Sequence, residues 1–329
     1  MGVSSHHRAG GGFRNPGPNA APHGILGLLR WVLIERPRNP RQHQPPRGSF
    51  RRETPSFDTP RAGSSALTVS WIGHSSLLVQ IGGRNVLLDP VWSERVSPIS
   101  SIGPRRWMEP GIPFPSLPPI DIVLLSHNHY DHLDTATLRR VAAANPAADW
   151  VVPLGLIPIV RRCGATNIVE LDWWQEHRVG NVTVGCAPAQ HFSGRGPHDR
   201  DRTLWCSWAL RTAEASFYFG ADSGLHSEYR AIGERYGPFD LVALPIGAYE
   251  PRWFMKPVHM NPEDAIQAYQ DLVSSTGNTP PLIPIHWGTF KLTDEPMDEP
   301  PKRTVAAWQQ AGLPPESLWL LAHGETRRR

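Results

Sequence analysis

Cysteine is scarce in this 329-residue chain. Cys163, Cys186 and Cys206 are its only three, scattered and without CxxC spacing, which argues against both a disulfide framework and a thiolate metal site. A reducing, cytoplasmic compartment follows as the simpler expectation. Long apolar runs are missing as well. The segment Gly24 to Ile34 is apolar except for Arg30, yet it falls far short of the roughly 20 residues that cross a bilayer. Glu35-Arg36-Pro37-Arg38 follows it in place of a small-residue cleavage site, which argues against a cleaved leader. No internal repeat is evident, and length alone permits one large domain or two small ones.

Net charge is small, +3, but unevenly placed. Residues 1–65 hold ten arginines against Glu35, Glu53 and Asp58, so residues 66–329 are acidic by about four charges. That N-terminal stretch is rich in Pro, Gly, Arg and Ser, with runs such as Gly10-Gly11-Gly12 and Gln44-Pro45-Pro46 that cannot build a core. Residues 1–65 are therefore expected to be a basic tail, disordered or draped over a body formed by residues 66–329. Its apolar segment, residues 24–34, would be a short helix, packed on the body or lying peripherally on a membrane.

From Leu67 the pattern turns to compact strands. Leu67 to Ile72, Leu77 to Ile81 and Asn85 to Leu88 read as a meander, the last two joined by a Gly82-Gly83-Arg84 hairpin turn. Later strands are expected at Trp150 to Val152, Val182 to Cys186, Leu204 to Leu210, Ser216 to Phe219, Leu241 to Leu244 and Leu282 to Ile285. Helices are expected from the cap Asp134 to Ala144, and at Leu154 to Cys163, Ser227 to Tyr236, Pro262 to Ser274 and Lys302 to Ala311. Such an order fits an α/β body with helices outside two sheets.

The run Ser126-His127-Asn128-His129-Tyr130-Asp131-His132 places three imidazoles and a carboxylate directly after the apolar segment Ile120 to Leu125. Side chains two apart at a strand end point the same way, so His127 and His129 can converge on one ion while His132 serves a second. Imidazole with carboxylate and no thiolate suits zinc or another borderline first-row ion. The missing partners stand at other strand ends: His191 after residues 182–189, Asp222 after 216–219, His286 after 282–285. Rigid strands hold such loop residues in register. The seven donors suggest two Zn²⁺ per chain, one held by His127, His129 and His191, the other by Asp131, His132 and His286, with Asp222 bridging.

His127-Asn128-His129-Tyr130-Asp131-His132 followed by a later His, Asp and His resembles the metallo-β-lactamase superfamily from about Leu67 onward. Within it, the chain is similar to the phospholipase D family that hydrolyses N-acylphosphatidylethanolamine. The residues that carry this are Trp71 to His74, Ser126 to Asp134, Gln190-His191, Gly237 to Leu241, Pro245 to Lys256, His259, Asn261 to Ala265 and His286 to Phe290; Phe13-Arg14-Asn15-Pro16 looks like the tail of bacterial relatives. The resemblance implies an αββα sandwich of two mixed sheets with helices on the outer faces. It further implies a zinc-dependent phosphodiesterase acting in lipid metabolism, which releases an N-acylethanolamine and a phosphatidic acid, with Tyr130 and His259 holding the phospholipid. The chain departs from the pattern at Ala221, usually Gly, at Phe192, where some relatives have Trp, and at Cys206, often Gly; these leave the acyl-chain preference open.

Paired zincs lower the pKa of a shared water from about 15.7 to near 7 and clamp an in-line displacement when ~3.5 to 4 Å apart, so a metal-bridging hydroxide is the expected nucleophile. Asp131 is the candidate to orient it and handle its proton. Asp89 either hydrogen-bonds a ligand histidine or caps a turn before Pro90, and His74 either supports a ligand or is a core histidine. The proline-rich segment Trp107 to Pro119 either flanks a lipid groove or packs under the sheet. Two other hydrolase readings fit the same donors: a soluble lactonase or thioesterase, and a nuclease or nucleotide phosphodiesterase. A slightly acidic body without a basic stripe argues against a nucleic-acid partner. His132 and Asp222 argue against a β-lactamase proper, and seven ligands with an open position argue against a purely metal-binding protein. A homodimer is compatible with the sequence.

Overall fold

The computed structural model describes residues 6–17, 23–38, 42–99 and 101–329; residues 1–5, 18–22 and 39–41 of the tail, and Ser100, lie outside the described residues. In chain order the elements begin with α1 (Ile25–Leu29), a π-helical continuation (Arg30–Glu35) and α2 (Arg36–Arg38). The first half of the body holds β1 (Leu67–Gly73), β2 (Ser76–Ile81), β3 (Arg84–Leu88), β4 (Ile122–Leu124), α3 (Thr135–Ala144), β5 (Asp149–Pro153), α4 (Ile157–Arg162) and β6 (Asn167–Leu171). The second holds β7 (Glu176–Val179), β8 (Val182–Ala187), β9 (Ser207–Arg211), β10 (Ser216–Phe219), α5 (Tyr229–Tyr236), β11 (Leu241–Pro245), α6 (Arg252–Met255), α7 (Pro262–Val273), β12 (Leu282–Ile285), α8 (Glu299–Gln310) and β13 (Thr326–Arg328).

Two mixed sheets result, ordered β13-β1-β2-β3-β4-β5-β6 and β12-β11-β10-β9-β8-β7. Their central strands are buried on both faces, and side-chain alternation sorts each residue to one layer. Leu77, Val79, Val86, Leu88, Ile122 and Leu124 meet Val184, Trp208, Leu210, Phe217, Phe219 and Ile283 between the sheets. The alternate residues Leu78, Leu87, Val123 and Trp150 pack outward under α3 and α4 with Leu138, Val141 and Val160. On the other side, Tyr218, Val242 and Leu244 pack outward with Ile232, Ile266, Tyr269 and Trp308 of α5, α7 and α8. The architecture is α/β, in αββα order. Full burial of each aliphatic side chain contributes roughly 1.5–3 kcal/mol, so the three apolar layers dominate stability.

The expected hairpin forms: Gly82 and Gly83 lie at φ 60° and 70°, the left-handed pair that a two-residue turn demands. Asp134 caps α3 through Ala136 and Thr137, as its position predicts. Several boundaries move. The helix expected from Leu154 begins at Ile157, where Pro158 occupies the first turn, and the one expected from Lys302 begins at Glu299, because Pro300 and Pro301 fit a first turn that donates no amide. The strand expected from Leu204 begins at Ser207. Strands β6, β7 and β13 carry no apolar alternation and escape a sequence reading; all three are sheet edges, and β7 and β13 are largely polar. The segment Trp107 to Pro119 packs on the body: Ile112 is fully buried, and Phe114 and Leu117 lean on the cluster under α3.

Part of the tail is ordered against the body. Phe13 is buried in the inter-sheet cluster. Trp31 is buried, packs with its ring tilted against Phe254 at 5.4 Å and donates to Asp294 at 2.6 Å, while Trp253 donates to Glu35 at 2.7 Å. The helical segment thus docks beside α6, yet Leu26, Leu28, Leu29, Val32, Leu33 and Ile34 remain exposed, Leu26 by 79%.

Candidate metal centre

Pairing directions put the carboxyl ends of β1, β3 and β4 of one sheet on the same edge as those of β8, β10, β11 and β12 of the other. Every expected ligand lies just past one of those ends. His127, His129, Asp131 and His132 follow β4, His191 follows β8, Asp222 follows β10 and His286 follows β12. His286 N donates to His74 O at 3.0 Å, which stitches the two sheets together at this edge.

The donors converge in two sets. His129 Nδ1 stands 2.9 Å from His127 Nε2 and 3.1 Å from His191 Nε2. His132 Nε2 and His286 Nε2 each stand 3.1 Å from Asp222 Oδ2, and 3.6 and 3.5 Å from Asp131 Oδ2. The same Asp222 oxygen is 4.0 Å from His127 Nε2 and 3.8 Å from His191 Nε2, so it touches both sets. Four ligands around a zinc at ~2.0–2.1 Å are separated from one another by about 3.4 Å, and these spacings suit that arrangement. His132 Nε2, His286 Nε2 and Asp222 Oδ1 are buried without a hydrogen bond, which buried polar atoms seldom tolerate unless an ion claims them. The residues present fit two zinc-class ions. His74, which the sequence left as either a support for a ligand or a core histidine, reaches the second set, with Nε2 2.9 Å from Asp131 Oδ2.

Electrostatics prepare these ligands. Burial, reinforced by the neighbouring imidazole of His191, lowers His129 to about 3; burial lowers His191 to about 4 although Asp222 opposes it. Both therefore present neutral lone pairs. Burial opposes charge on Asp131 and Asp222 most strongly of any single cause, but the surrounding imidazoles, His132 first and then His286, together outweigh it and hold both carboxyls well below the usual carboxylate range. Against the cost of burial, Asp222 and Asp131 hold His132 well above the ordinary imidazole value and, with Asp222 first, push His286 up to about 9. An ion that replaces those protons takes over the neutralisation of the carboxylates.

The far nitrogens are fixed from behind. Asp89 Oδ2 meets His132 Nδ1 at 2.7 Å and takes the Ser126 hydroxyl at 2.6 Å, while Ser126 Oγ lies 2.9 Å from His127 Nδ1. His191 Nδ1 faces Val258 O at 2.9 Å. Such contacts set the tautomer and aim of a ligand imidazole. Ser126 was not singled out in the sequence, although its adjacency to His127 is a signal. The site is also where the backbone is strained. Of seven non-glycine residues with positive φ among the described residues, His74, Asp89, Ala221 and His286 belong here, at a cost on the order of 1 kcal/mol each. Ala221, at φ 49°, occupies the place where glycine is the unstrained choice. Gly247 allows a further close approach, since a Cβ there would stand 2.1 Å from His286 O.

Of the two residues expected to hold substrate, His259 lies at the centre. Its ring is buried, 5.0 Å from His191 and 5.4 Å from His286, and its Nδ1 has no partner. Tyr130 faces the other way, donating to Arg195 O at 2.8 Å beneath the Arg195 guanidinium, 3.9 Å from its ring. It lines a cavity of about 540 Å³ with Arg95, Leu133 and Arg195.

Comparison with known proteins agrees with this geometry. The family described as Beta-lactamase superfamily domain matches residues 84–287, a span that contains all seven donors. The chain belongs to the beta-lactamase superfamily. Among superfamily-like relatives, an uncharacterized protein of Mycobacterium tuberculosis is 43% identical over 284 residues, which cover 86% of this chain and 73% of that protein. N-acyl-phosphatidylethanolamine-hydrolyzing phospholipase D 1 of Caenorhabditis elegans is 41% identical over 238 residues, covering 69% of this chain and 65% of the worm protein. Igni18, a metallo hydrolase from Ignicoccus hospitalis, shares the fold with a TM-score of 0.60 at 20% identity, over 80% of this chain and 98% of that one. Superfamily membership and the clustered His and Asp donors together make this chain a metallo-hydrolase.

Proposed function

We propose that the chain is a dinuclear zinc phosphodiesterase of the phospholipase D type, which cleaves N-acylphosphatidylethanolamine to an N-acylethanolamine and a phosphatidic acid. The observation that carries the dinuclear reading is Asp222 Oδ2 within 3.1 to 4.0 Å of one ligand nitrogen after another in both donor sets. His127, His129 and His191 would hold one ion; Asp131, His132 and His286 the other. When bound, such a pair supplies Lewis acidity toward the phosphate oxygens and a water acidified to near neutral pH. Asp131 is the carboxylate on the open side, its side chain 14% exposed against 2% for Asp222. Its carboxylate would take the proton of the attacking water and return it to the ethanolamine oxygen as the phosphorus–oxygen bond breaks. His259, with a free nitrogen beside the donors, would position the head group; Tyr130 would act from the adjoining cavity.

Substrate identity is supported by the similarity to the worm enzyme and by the run Pro245 to Lys256 that leads into His259. Mass spectrometry of reactions on the lipid should detect N-acylethanolamine and phosphatidic acid. His259→Ala should impair that cleavage more than cleavage of a small aryl phosphodiester. An enzyme that leaves the lipid intact yet opens a lactone or thioester efficiently would overturn the substrate and keep the scaffold.

A lipid substrate requires access to a membrane, and the exposed apolar residues are concentrated on one element. Six of the nine exposed large hydrophobic residues described lie between Leu26 and Ile34, with exposed Arg30 among them and exposed Arg36 and Arg38 just after. No helix among the described residues is long and apolar enough to cross a membrane. The segment would lie on the surface of an anionic bilayer, its apolar side in the acyl boundary and its arginines at the head groups. Replacing Leu26 and Leu33 by Ser should weaken co-sedimentation with phosphatidylserine vesicles by more than about tenfold, since each leucine contributes roughly 1.5–3 kcal/mol on burial. Turnover of a soluble phosphodiester should not change. Equal partition of variant and parent would remove the membrane role.

A further inference from the structure

A second cluster of ligand-type side chains lies away from the metal centre, where the N-terminal arm meets the corner between β6 and β7. The arm doubles back on itself: Gly11 N donates to Arg8 O, Arg8 N to Gly12 O and Arg14 N to His6 O, each at 2.9 to 3.0 Å, with His7 bridged to Phe13. Gly11 and Gly12, at φ 83° and 86°, make this turn. Both histidines then face one carboxylate. His6 Nε2 is 2.6 Å from Asp172 Oδ1, and His7 Nε2 is 2.8 Å from Asp172 Oδ2. His6 is buried and stacked on Trp173 at 4.2 Å, whereas the side chains of His7 and Asp172 keep 31% and 17% exposure, leaving one side open to water.

Consecutive residues on an extended chain project to opposite sides, so two neighbouring imidazoles aimed at one point require an arranged backbone. The His6 and His7 rings lie edge to face, 4.6 Å apart at 66°. The ligand pairs of the metal centre have the same form, with His127–His129 at 4.5 Å and 83° and His129–His191 at 4.9 Å and 79°. In both places the donor atoms of each set lie within 4.8 Å of one another.

We propose that His6, His7 and Asp172 form a third divalent-cation site of the zinc class, which clasps the N-terminal arm to the body. Two imidazoles, one carboxylate and an open position for water make up a borderline-ion donor set. The clasp matters for the main site because the same arm carries Asn15, whose Oδ1 accepts from His191 N at 2.9 Å and from Trp205 Nε1 at 3.0 Å. Phe13 N donates to Asp201 O at 2.8 Å between these two anchors. The third ion is thus a structural one, holding the strap that supports a ligand of the centre.

The test compares zinc content of the full-length holoprotein with that of His7→Ala and Asp172→Asn after dialysis against buffered free zinc. Each variant should hold one equivalent less than the parent. Zinc should also slow amide exchange of residues 6–16 in the parent and in neither variant. The difference of one equivalent is read whether the main centre holds two ions or one, so failure here and failure of the dinuclear reading are separable. Asp172→Asn preserves shape and an acceptor for histidine, which guards against a simple folding defect. Equal zinc content in all three proteins, or arm protection indifferent to zinc, would overturn the site and leave a hydrogen-bonded clasp.

Discussion

Chelation should abolish hydrolysis, and added zinc should restore it. The expected loss is complete because the only acidified nucleophile in the proposed reaction is generated between the two donor sets, and the uncatalysed attack of water on a phosphodiester is very slow. Elemental analysis after gentle purification should find at least two zinc-class ions per chain. Affinity should fall as pH falls, since His132 and His286 must give up protons that Asp222 and Asp131 hold on them. Full activity in excess chelator, or a content below about one ion per chain, would sink the dinuclear reading.

The second large effect is expected at Asp131. Asp131→Asn should lower turnover on the order of a hundredfold or more, since the amide can neither accept the proton of the attacking water nor neutralise the second ion. The fold should survive. An asparagine oxygen can still face His74, and Asp131 itself belongs to none of the three apolar layers. Circular dichroism and metal content check the protein; kcat checks the role. A folded, metal-loaded variant with near-parental turnover would exclude Asp131 from proton handling.

Much of this was legible in the chain. Donors packed as tightly as residues 127 to 132 state a metal site locally, because their spacing at a strand end decides which side chains share a face. The Gly82-Gly83 turn and the Asp134 cap are equally local, each specified by one residue type at one backbone conformation. Polar strands such as β13, Thr326–Arg328, are not legible this way. They exist only because β1 offers them an open edge, and no periodicity records that. The tail illustrates the same limit. Its composition predicts a chain that builds no core of its own, yet Phe13 and Trp31 find burial on surfaces that the body provides.

Read alone, then, the sequence determined the donor inventory and an α/β body with helices outside two sheets, since these follow from residue types, alternation and short motifs, and the resemblance its motifs carry added the superfamily. Tertiary structure decided what sequence separation conceals. It brought His191, Asp222 and His286 onto one sheet edge, let a single Asp222 oxygen touch both donor sets, drew His74 and Asp89 in behind the ligands, and laid Asn15 from the far N-terminus against His191. The reason is geometric. A ligand must stand within about 2 Å of its ion, and distances of that size between residues far apart in sequence are fixed only when parallel strands from two packed sheets end together.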